Sequence, residues 1–528
     1  MGLSRMTEIQ AKTFDAAFSG RDVLGRARTG TGKTVAFLLP AIERVLRTSS
    51  GHVDGSDVGV LVISPTRELA TQIGAEAGRL LTFHKGTTVQ VVYGGTKATR
   101  DVSRLKERVP TVLVATPGRL KDLLQTAMIG GVRFSKVLSR TSVVVLDETD
   151  QLLDQGFRRE ILAILNHLPR CDRRQTLLFS ATVPRELREI MKQTMKPDYV
   201  EVDCIQDGGS ADGEGGMSAQ THVHVRQSHA LIPSVGRYVS SVIRVVKEAA
   251  RDGVADRAET KNGRVETDNK IVVFFPTSRM VSFFAALFND VVKMPVMELH
   301  SRKSQGYRNR VSGEFREAES GILFTSDVSA RGVDYPGVTH VVQFGIPSSR
   351  DQYIHRLGRT GRAGADGKGW LVLGPFESSF LEELKQINVP KDLALTDVLR
   401  DTVEDDETEE LMRVLTDKVG SSGDQNLAKS GEGAYQAFLG YYLGQMKRMK
   451  MDKKESLVDI ANEFSAAMGF RRPPTLAKNM ASKMGLVGLI VLSGSDVGRG
   501  SSKSPPSSKR ERTRTDATKP HQRLRKRN

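Results

Sequence analysis

ARTGTGKT, residues Ala27–Thr34, and VVVLDETD, residues Val143–Asp150, are the two stretches from which the rest of the chain is read. The first follows an apolar run containing Val23 and Leu24 and precedes a helical stretch. Strand, glycine loop, helix is the context in which backbone N–H groups cradle phosphates. Gly30 and Gly32 let those N–H groups come close, and the helix N terminus adds its positive dipole end. In such a loop Lys33 reaches the β- and γ-phosphates and Thr34 the Mg²⁺. Ala27, Arg28, Thr29, Gly30, Thr31, Gly32, Lys33 and Thr34 are therefore candidate nucleotide-binding residues. An ordinary glycine turn has the same short pattern; the strand before and the helix after favour the phosphate reading. In the second stretch an apolar strand ends in Asp-Glu. Asp147 would hold Mg²⁺, largely through the nucleotide and water, and Glu148 would orient and polarise the attacking water. The alternative is a solvated, charged strand end.

Outward from these stretches, short β-branched runs alternate with longer amphipathic ones. Val58–Ser64, Val89–Tyr93, Val112–Ala115, Val143–Asp147 and Thr176–Ser180 are apolar throughout and bounded by turn residues, as buried parallel strands are. Helical stretches such as Glu68–Leu81 lie between them. Gln206–Gln220 is rich in Gly, Ser and Asp and reads as a flexible linker. The alternation then resumes with Ile271–Phe275, Met297–His300, Ile322–Thr325, His340–Phe344 and Gly369–Leu373. The polar stretch Arg251–Asn269 reads as an exposed insertion. The expected class is α/β: two tandem domains with parallel sheets, residues 1–205 and 221–375. Residues 376–492 read as a helical C-terminal extension. The acidic run Asp401–Glu410 and the Gly/Ser-rich Gly420–Gly433 divide it, leaving Ala434–Leu492 as a small helical module. Residues 493–528 lack a core pattern and should be disordered.

Composition limits the partners. The longest apolar runs, such as Val487–Leu492, are far short of the roughly 20 residues of a membrane-crossing helix, so no membrane partner is expected. Two cysteines, Cys171 and Cys204, build neither a disulfide framework nor a CxxC zinc site, which suits a reducing compartment. The formal net charge is +16, of which +9 lies in residues 497–528. That balance suits a polyanionic partner and equally suits simple solubility. The N-terminal residues lack the apolar core of a secretory signal.

Taken in order, TEIQ (Thr7–Gln10), ARTGTGKT, PTRELA (Pro65–Ala70), GG (Gly94–Gly95), TPGR (Thr116–Arg119), DETD (Asp147–Asp150), SAT (Ser180–Thr182), TSDVSARGVD (Thr325–Asp334) and HRLGRTGR (His355–Arg362) resemble the DEAD-box RNA helicases of superfamily 2. The resemblance spans nearly all of residues 1–375. It implies two RecA-like domains, ATP and Mg²⁺ as ligands, and RNA, structured or duplex, as a sequence-tolerant partner. It implies that Gln10 reads the adenine edge and that Asp334, with Gly332 beside it, contacts the ribose. Lys33, Asp147, Glu148, Ser180, Thr182, His355, Arg359 and Arg362 would form the catalytic set. Arg359 and Arg362 would be arginine fingers from the second domain. Ser180 and Thr182 would bond to Asp150, although Ser-Ala-Thr can also simply cap a helix. Arg67, Gly94, Gly95, Thr116, Arg119, Arg302, Arg308 and Ser326 would contact the RNA backbone. Such contacts do not read bases, so binding should be salt-sensitive.

The chain departs from the family pattern at Thr149, where Ala is usual, at Ser326, where Thr is usual, and at Ser301, where Gly is frequent. The family also has an adenine-stacking aromatic well before the motif glutamine, and Gln10 leaves no room for it. An incomplete N terminus and weaker ATP binding than in a longer form are the expectation.

AYQAFLGYY (Ala434–Tyr442) and the residues that follow resemble the extension of organellar DEAD-box RNA chaperones of fungi and plants that assist group I and II intron splicing. That resemblance implies packing on the second domain, RNA remodelling and splicing roles, and an intracellular location in a mitochondrion or plastid, with the nucleus or nucleolus as alternative. Phe438, Leu439, Tyr442, Leu457, Ile460, Ala461 and Phe464 recur at helical spacing and read as core. The tail could tether RNA, act as a nuclear localisation signal or only solubilise. The expected activity is ATP-driven local duplex unwinding by a monomer. The competing readings are a non-catalytic ATP-gated RNA clamp or assembly platform and a DNA helicase of the same superfamily.

Overall fold

Each half of the chain winds around one parallel sheet. The computed structural model describes residues 5–28, 30–48, 56–154, 156–205, 225–252, 268–329, 333–362, 365–400, 406–420 and 425–492. Thr29, Gly332, the linker 206–220, the interior of the insertion and the tail lie outside the described residues.

The first sheet holds β1 (Val23–Arg26), β2 (Val60–Ile63), β3 (Val89–Val92), β4 (Val112–Ala115), β7 (Val143–Leu146), β8 (Gln175–Ser180) and β9 (Val200–Asp203). Their order is β3-β4-β2-β7-β8-β1-β9, and every pair is parallel. A small antiparallel hairpin, β5 (Met128–Ile129) with β6 (Val132–Arg133), stands apart. VLVI, VLVA and VVVL are buried at every residue, because helices cover both faces. The second sheet runs β10 (Val225–Leu231), β15 (Gly367–Leu373), β14 (His340–Phe344), β11 (Lys270–Phe274), β13 (Gly321–Thr325), β12 (Met297–Leu299), again all parallel. Central strands fall within a few residues of the expected runs. The edge strands β9 (VEVD) and β10 (VRQSHAL) were not expected, since each carries polar residues that an edge tolerates and a central strand does not.

Of the insertion's borders, Arg251 and Asp268 are exposed, whereas Asn269 is not. Arg251 ends the helix Tyr238–Arg251. Asn269 is buried and its amide donates to the carbonyls of Ala249 and Asp252 at 3.0 and 2.7 Å. His340 Nε2 lies 2.8 Å from Asp252 Oδ2, which Lys368 also reaches.

The extension shares its core with the second domain. One hydrophobic cluster contains Tyr238, Phe275 and Phe284 of that domain together with Phe438, Leu439, Tyr442, Leu457, Ala461 and Phe464. Phe438 stacks on Phe464 at 4.6 Å, and Tyr238 meets Phe464 edge-on at 5.2 Å. Ile460 is only partly buried against it. The expected break at Gly420–Gly433 is corrected: the helix Gln425–Leu443 runs through its second half. The glycines there are packing positions. A β-carbon on Gly431 would lie 2.7 Å from the Phe470 ring, and one on Gly433 3.2 Å from Arg279 Nη1. Likewise Asp406–Glu410, expected as part of a separating acidic run, opens the helix Asp406–Gly420, where acidic side chains suit the N-terminal dipole. No described helix is long and apolar enough to cross a membrane.

At the seam between domain and extension, Glu377 is fully buried. Its Oε1 accepts from Ile346 N (2.8 Å) and Tyr442 Oη (2.6 Å), and its Oε2 from Gly374 N (2.7 Å). Burial outweighs these donors and pushes the carboxyl up to about 7. A carboxyl raised on folding contributes stability that is whole below its unfolded pKa and is lost as pH rises through the folded value. The urea midpoint of the second domain should therefore fall between about pH 5 and about pH 8, and Glu377→Gln should flatten that slope. Equal slopes in the two proteins would exclude Glu377 as the source.

Candidate nucleotide and RNA site

The phosphate loop leaves β1 at Arg26 and enters the helix Lys33–Thr48. Gly30 and Gly32 have φ of 79° and 89°, a region that a side chain disfavours. Thr31 Oγ1 closes the turn onto Arg28 O at 2.8 Å, Arg28 is half-buried, and Ala27 N donates to Ser180 O at 3.3 Å. Gln10 sits behind the loop: its Oε1 accepts from Thr7 N (3.0 Å) and its Nε2 donates to Gly32 O (3.1 Å).

Thr34, Lys33, Asp147 and Glu148 line a cavity of about 330 Å³, whose other wall is Asp334, Arg359 and Arg362 of the second domain. Lys33 Nζ lies 3.1 Å from Glu148 Oε1, and both side chains are buried. Burial pushes Glu148 up, but the Lys33 ammonium and His355 together leave the carboxyl below its usual range. Burial, then the Glu148 charge, pushes Asp147 up to about 7. Glu148 has φ 47°, a conformation costing roughly 1–3 kcal/mol for a residue other than glycine. Such strain concentrates at functional sites.

Asp150 joins the next layer. It receives Thr182 Oγ1 at 3.0 Å on Oδ2, its backbone N–H donates to Ser180 Oγ at 3.2 Å, and His355 Nε2 lies 3.6 Å from Oδ2. The departure at Thr149 fits this layer: its buried hydroxyl donates to Leu146 O (3.0 Å) and approaches Phe179 O (3.3 Å), tying β7 to β8.

From the second domain, Arg359 is buried and donates to the carbonyls of Val333 and His355. Burial, then Arg362, disfavours its charge, while Glu148 and Asp334 favour it. Arg362 pairs with Asp334, so these two expected contacts are partners of one another here. Among the described residues, Lys33 Nζ (its ion pair aside), Asp147 Oδ1, Glu148 Oε2 and Arg359 Nη2 are buried without a hydrogen-bond partner. Two cationic and two anionic orphans facing one cavity are the donor set a Mg²⁺-triphosphate requires, and ATP with Mg²⁺ fits. Among the described residues no group of three or more His, Cys, Asp or Glu could hold a metal by itself. Mg²⁺ would thus be held by Thr34 and Asp147 together with the nucleotide.

A second cavity, of about 410 Å³, lies between the domains and is lined by Pro65, Arg67, Ser278, Ser301, Ser326 and Asp327 among others. Arg67 is half-buried beside Gly95, where a β-carbon would lie 2.2 Å from Arg67 Nη1, and Gly94 adjoins. Thr116 precedes the helix Pro117–Thr126, and Arg302 is exposed. Two expected RNA contacts are otherwise engaged. Arg119 is buried on Asp101 and on Thr96 O (2.6 Å), and so shapes the loop after Gly95. Arg308 is buried on Glu68 at 2.6 Å, across the domain interface.

The sequence reading missed that interface. Gln305 donates to Glu68 Oε1 (3.1 Å) and accepts from Arg67 Nη1 (3.1 Å), Asn309 donates to Tyr93 Oη (3.1 Å), and Asp334 N donates to Gln72 Oε1 (3.0 Å). Each pair joins residues more than 200 positions apart, and no local pattern in one sequence signals them. No hydrophobic cluster among the described residues draws on both domains.

A phosphate loop and an acidic strand end on one RecA-like lobe, faced by arginines from another, are the architecture of two-lobed nucleotide-binding proteins. Residues 7–190 match the DEAD/DEAH box helicase family model, and residues 256–364 match the helicase conserved C-terminal domain. The chain is 43% identical over 489 residues to DEAD-box ATP-dependent RNA helicase 26 of Arabidopsis thaliana, covering 92% of this chain and 52% of that protein. It is 42% identical over 487 residues to helicase 25 of the same plant, covering 92% and 78%. It thus spans about half the length of the first relative. Among solved structures, the DEAD-box helicase Mss116 bound to ssRNA and UDP-BeF superposes with TM-score 0.75 at 26% identity, covering 92% of this chain and 91% of that one. The chain belongs to the DEAD-box ATP-dependent RNA helicase family.

Removing the Thr149 hydroxyl leaves two buried carbonyls with one donor fewer. Thr149→Ala should cost about 1–3 kcal/mol of first-domain stability by chemical denaturation. Arg308→Ala leaves Glu68 buried without its counter-charge, held by Gln305 Nε2, only when the domains meet. It should weaken RNA binding in the nucleotide-bound state, by roughly 3–5 kcal/mol at most, without moving either domain's unfolding midpoint. Loss of stability with RNA affinity intact would reverse that assignment.

Proposed function

We propose that this chain is an RNA-dependent ATPase that closes two lobes over ATP and RNA and uses hydrolysis to separate short RNA duplexes. The observation that carries this reading is the shared cavity: Lys33, Asp147 and Glu148 on one wall, Arg359 and Arg362 on the other. Glu148 accepts a hydrogen bond from the attacking water and so aims the water's oxygen at the terminal phosphorus. Lys33, Arg359 and Arg362 neutralise charge that spreads over the γ-phosphoryl oxygens. Mg²⁺, held by Thr34 and Asp147, would supply further neutralisation of the phosphate charge. Because the arginines come from the other lobe, turnover requires closure. RNA lying along Arg67, Gly94, Gly95, Arg302 and Ser326 would favour that closed form. Asp150, bonded to Thr182 and Ser180 and facing His355, would report closure from one lobe to the other.

Two lines support RNA as the polymer. The family's relatives are RNA helicases by name, and the superposed Mss116 holds ssRNA. That superposition covers 92% of the chain and so includes most of the extension. It supports an RNA-remodelling helicase, and the resemblance of the extension to that of organellar RNA chaperones is the ground on which we propose an organellar location.

Steady-state ATPase assays test this. ATP turnover should rise on adding single-stranded RNA, and Arg359→Ala should lower kcat by about 10³-fold or more while nucleotide still binds. Binding of both ligands with negligible turnover would instead identify an ATP-gated clamp.

A further inference from the structure

The helix Arg350–Leu357 carries His355, and the turn after it carries Arg359 and Arg362. It begins at Ser349, whose Oγ accepts from Gln352 N at 3.1 Å. The loop that feeds it, Gly345–Ser348, leaves β14 with Gly345 at φ 75°. Three consecutive carbonyls of this loop are held by side chains of the C-terminal extension. Tyr441 Oη donates to Ile346 O at 2.7 Å. Arg448 Nη1 donates to Pro347 O at 2.8 Å and to Ser348 O at 3.0 Å. Arg448 is itself fixed by Glu383, with Nε and Nη2 each 2.9 Å from a carboxylate oxygen. Two further ties hold the loop: Gly345 N donates to Val372 O of β15 at 3.0 Å, and Ile346 N donates to Glu377, which Tyr442 of the same extension shares.

We propose that Tyr441 and Arg448 are positioning residues for ATP hydrolysis: by gripping the Ile346, Pro347 and Ser348 carbonyls they set the origin and direction of the helix that delivers His355, Arg359 and Arg362. The inference rests on the ATPase reading given above. An eight-residue helix is about 12 Å long. A tilt of roughly 5° at its start moves its far end by about 1 Å, and a displacement of that size at a reacting centre can cost about 10²-fold in rate. A second-domain core needs packing from the extension, which the aromatic cluster provides. It does not need three polar ties concentrated on one loop. Neither side chain touches the nucleotide cavity, so ATP binding by the first lobe should be indifferent to them.

The test uses the full chain, ATP and polyuridylate. Tyr441→Phe, Arg448→Lys, Arg448→Ala and the double variant Tyr441→Phe/Arg448→Ala are compared with Tyr435→Phe, which removes a hydrogen bond to Asn462 inside the extension (2.9 Å) and leaves the loop alone. The double variant should lose about tenfold to 10²-fold in kcat at saturating RNA, with KM for ATP within about twofold. Arg448→Lys, which keeps the charge but cannot span two carbonyls and a carboxylate, should fall between wild type and Arg448→Ala. Tyr435→Phe should keep wild-type kcat. Should the double variant fail to fold, the two conservative single variants carry the test with the same expected split. Unchanged kcat in folded Tyr441→Phe and Arg448→Lys, or an equal fall in Tyr435→Phe at matched urea midpoint, would overturn the proposal. Absence of RNA-stimulated turnover in the wild type would instead remove the ATPase reading beneath it.

Discussion

A triphosphate concentrates negative charge in a small volume, and neither lobe alone offers a charge complement to match it. The first lobe brings Lys33, paired with Glu148 at 3.1 Å, and Arg79, paired with Glu76 at 3.1 Å. The balance comes from Arg359 and Arg362, built on a different sheet. Every other feature of the interface serves this division. Asp150 faces His355 across the gap, Asp334 reaches Gln72, and Arg308 finds its counter-charge in Glu68. The constellation around the cavity is thus a property of an interface, and it depends on how accurately the two lobes meet.

That accuracy has a source outside the two sheets. The extension merges with the second lobe's core through Phe438, Tyr442 and Phe464, and its polar residues close on the loop before the arginine-bearing helix. Packing and polar ties divide the labour: the aromatic cluster fixes where the extension sits, and Tyr441 and Arg448 transmit that placement to the backbone.

Much of this was legible in the sequence, for identifiable reasons. Buried parallel strands advertise themselves as uninterrupted β-branched runs, so β2, β4, β7 and β11 were found almost to the residue. The phosphate loop and the acidic strand end are short, local and chemically constrained. What escaped was of two kinds. Edge strands β9 and β10 carry Glu201, Asp203, Arg226 and Gln227, which blur the apolar signal. Gly431 and Gly433 read as linker composition, whereas a helix uses them because Phe470 and Arg279 leave no room for a side chain. The cross-lobe partners escaped altogether: an arginine at 308 looks the same in sequence whether it meets a phosphate or Glu68. Burial decides, and burial belongs to the fold.

Among the described residues the seam between the lobes is made of amides, hydroxyls and paired charges, with no apolar cluster spanning it. When such a seam parts, water can satisfy both faces at once, and neither leaves a greasy scar to hide or to stick to a neighbour. The two lobes can therefore part without laying bare apolar surface, which suits the repeated opening and closing that the proposed function requires.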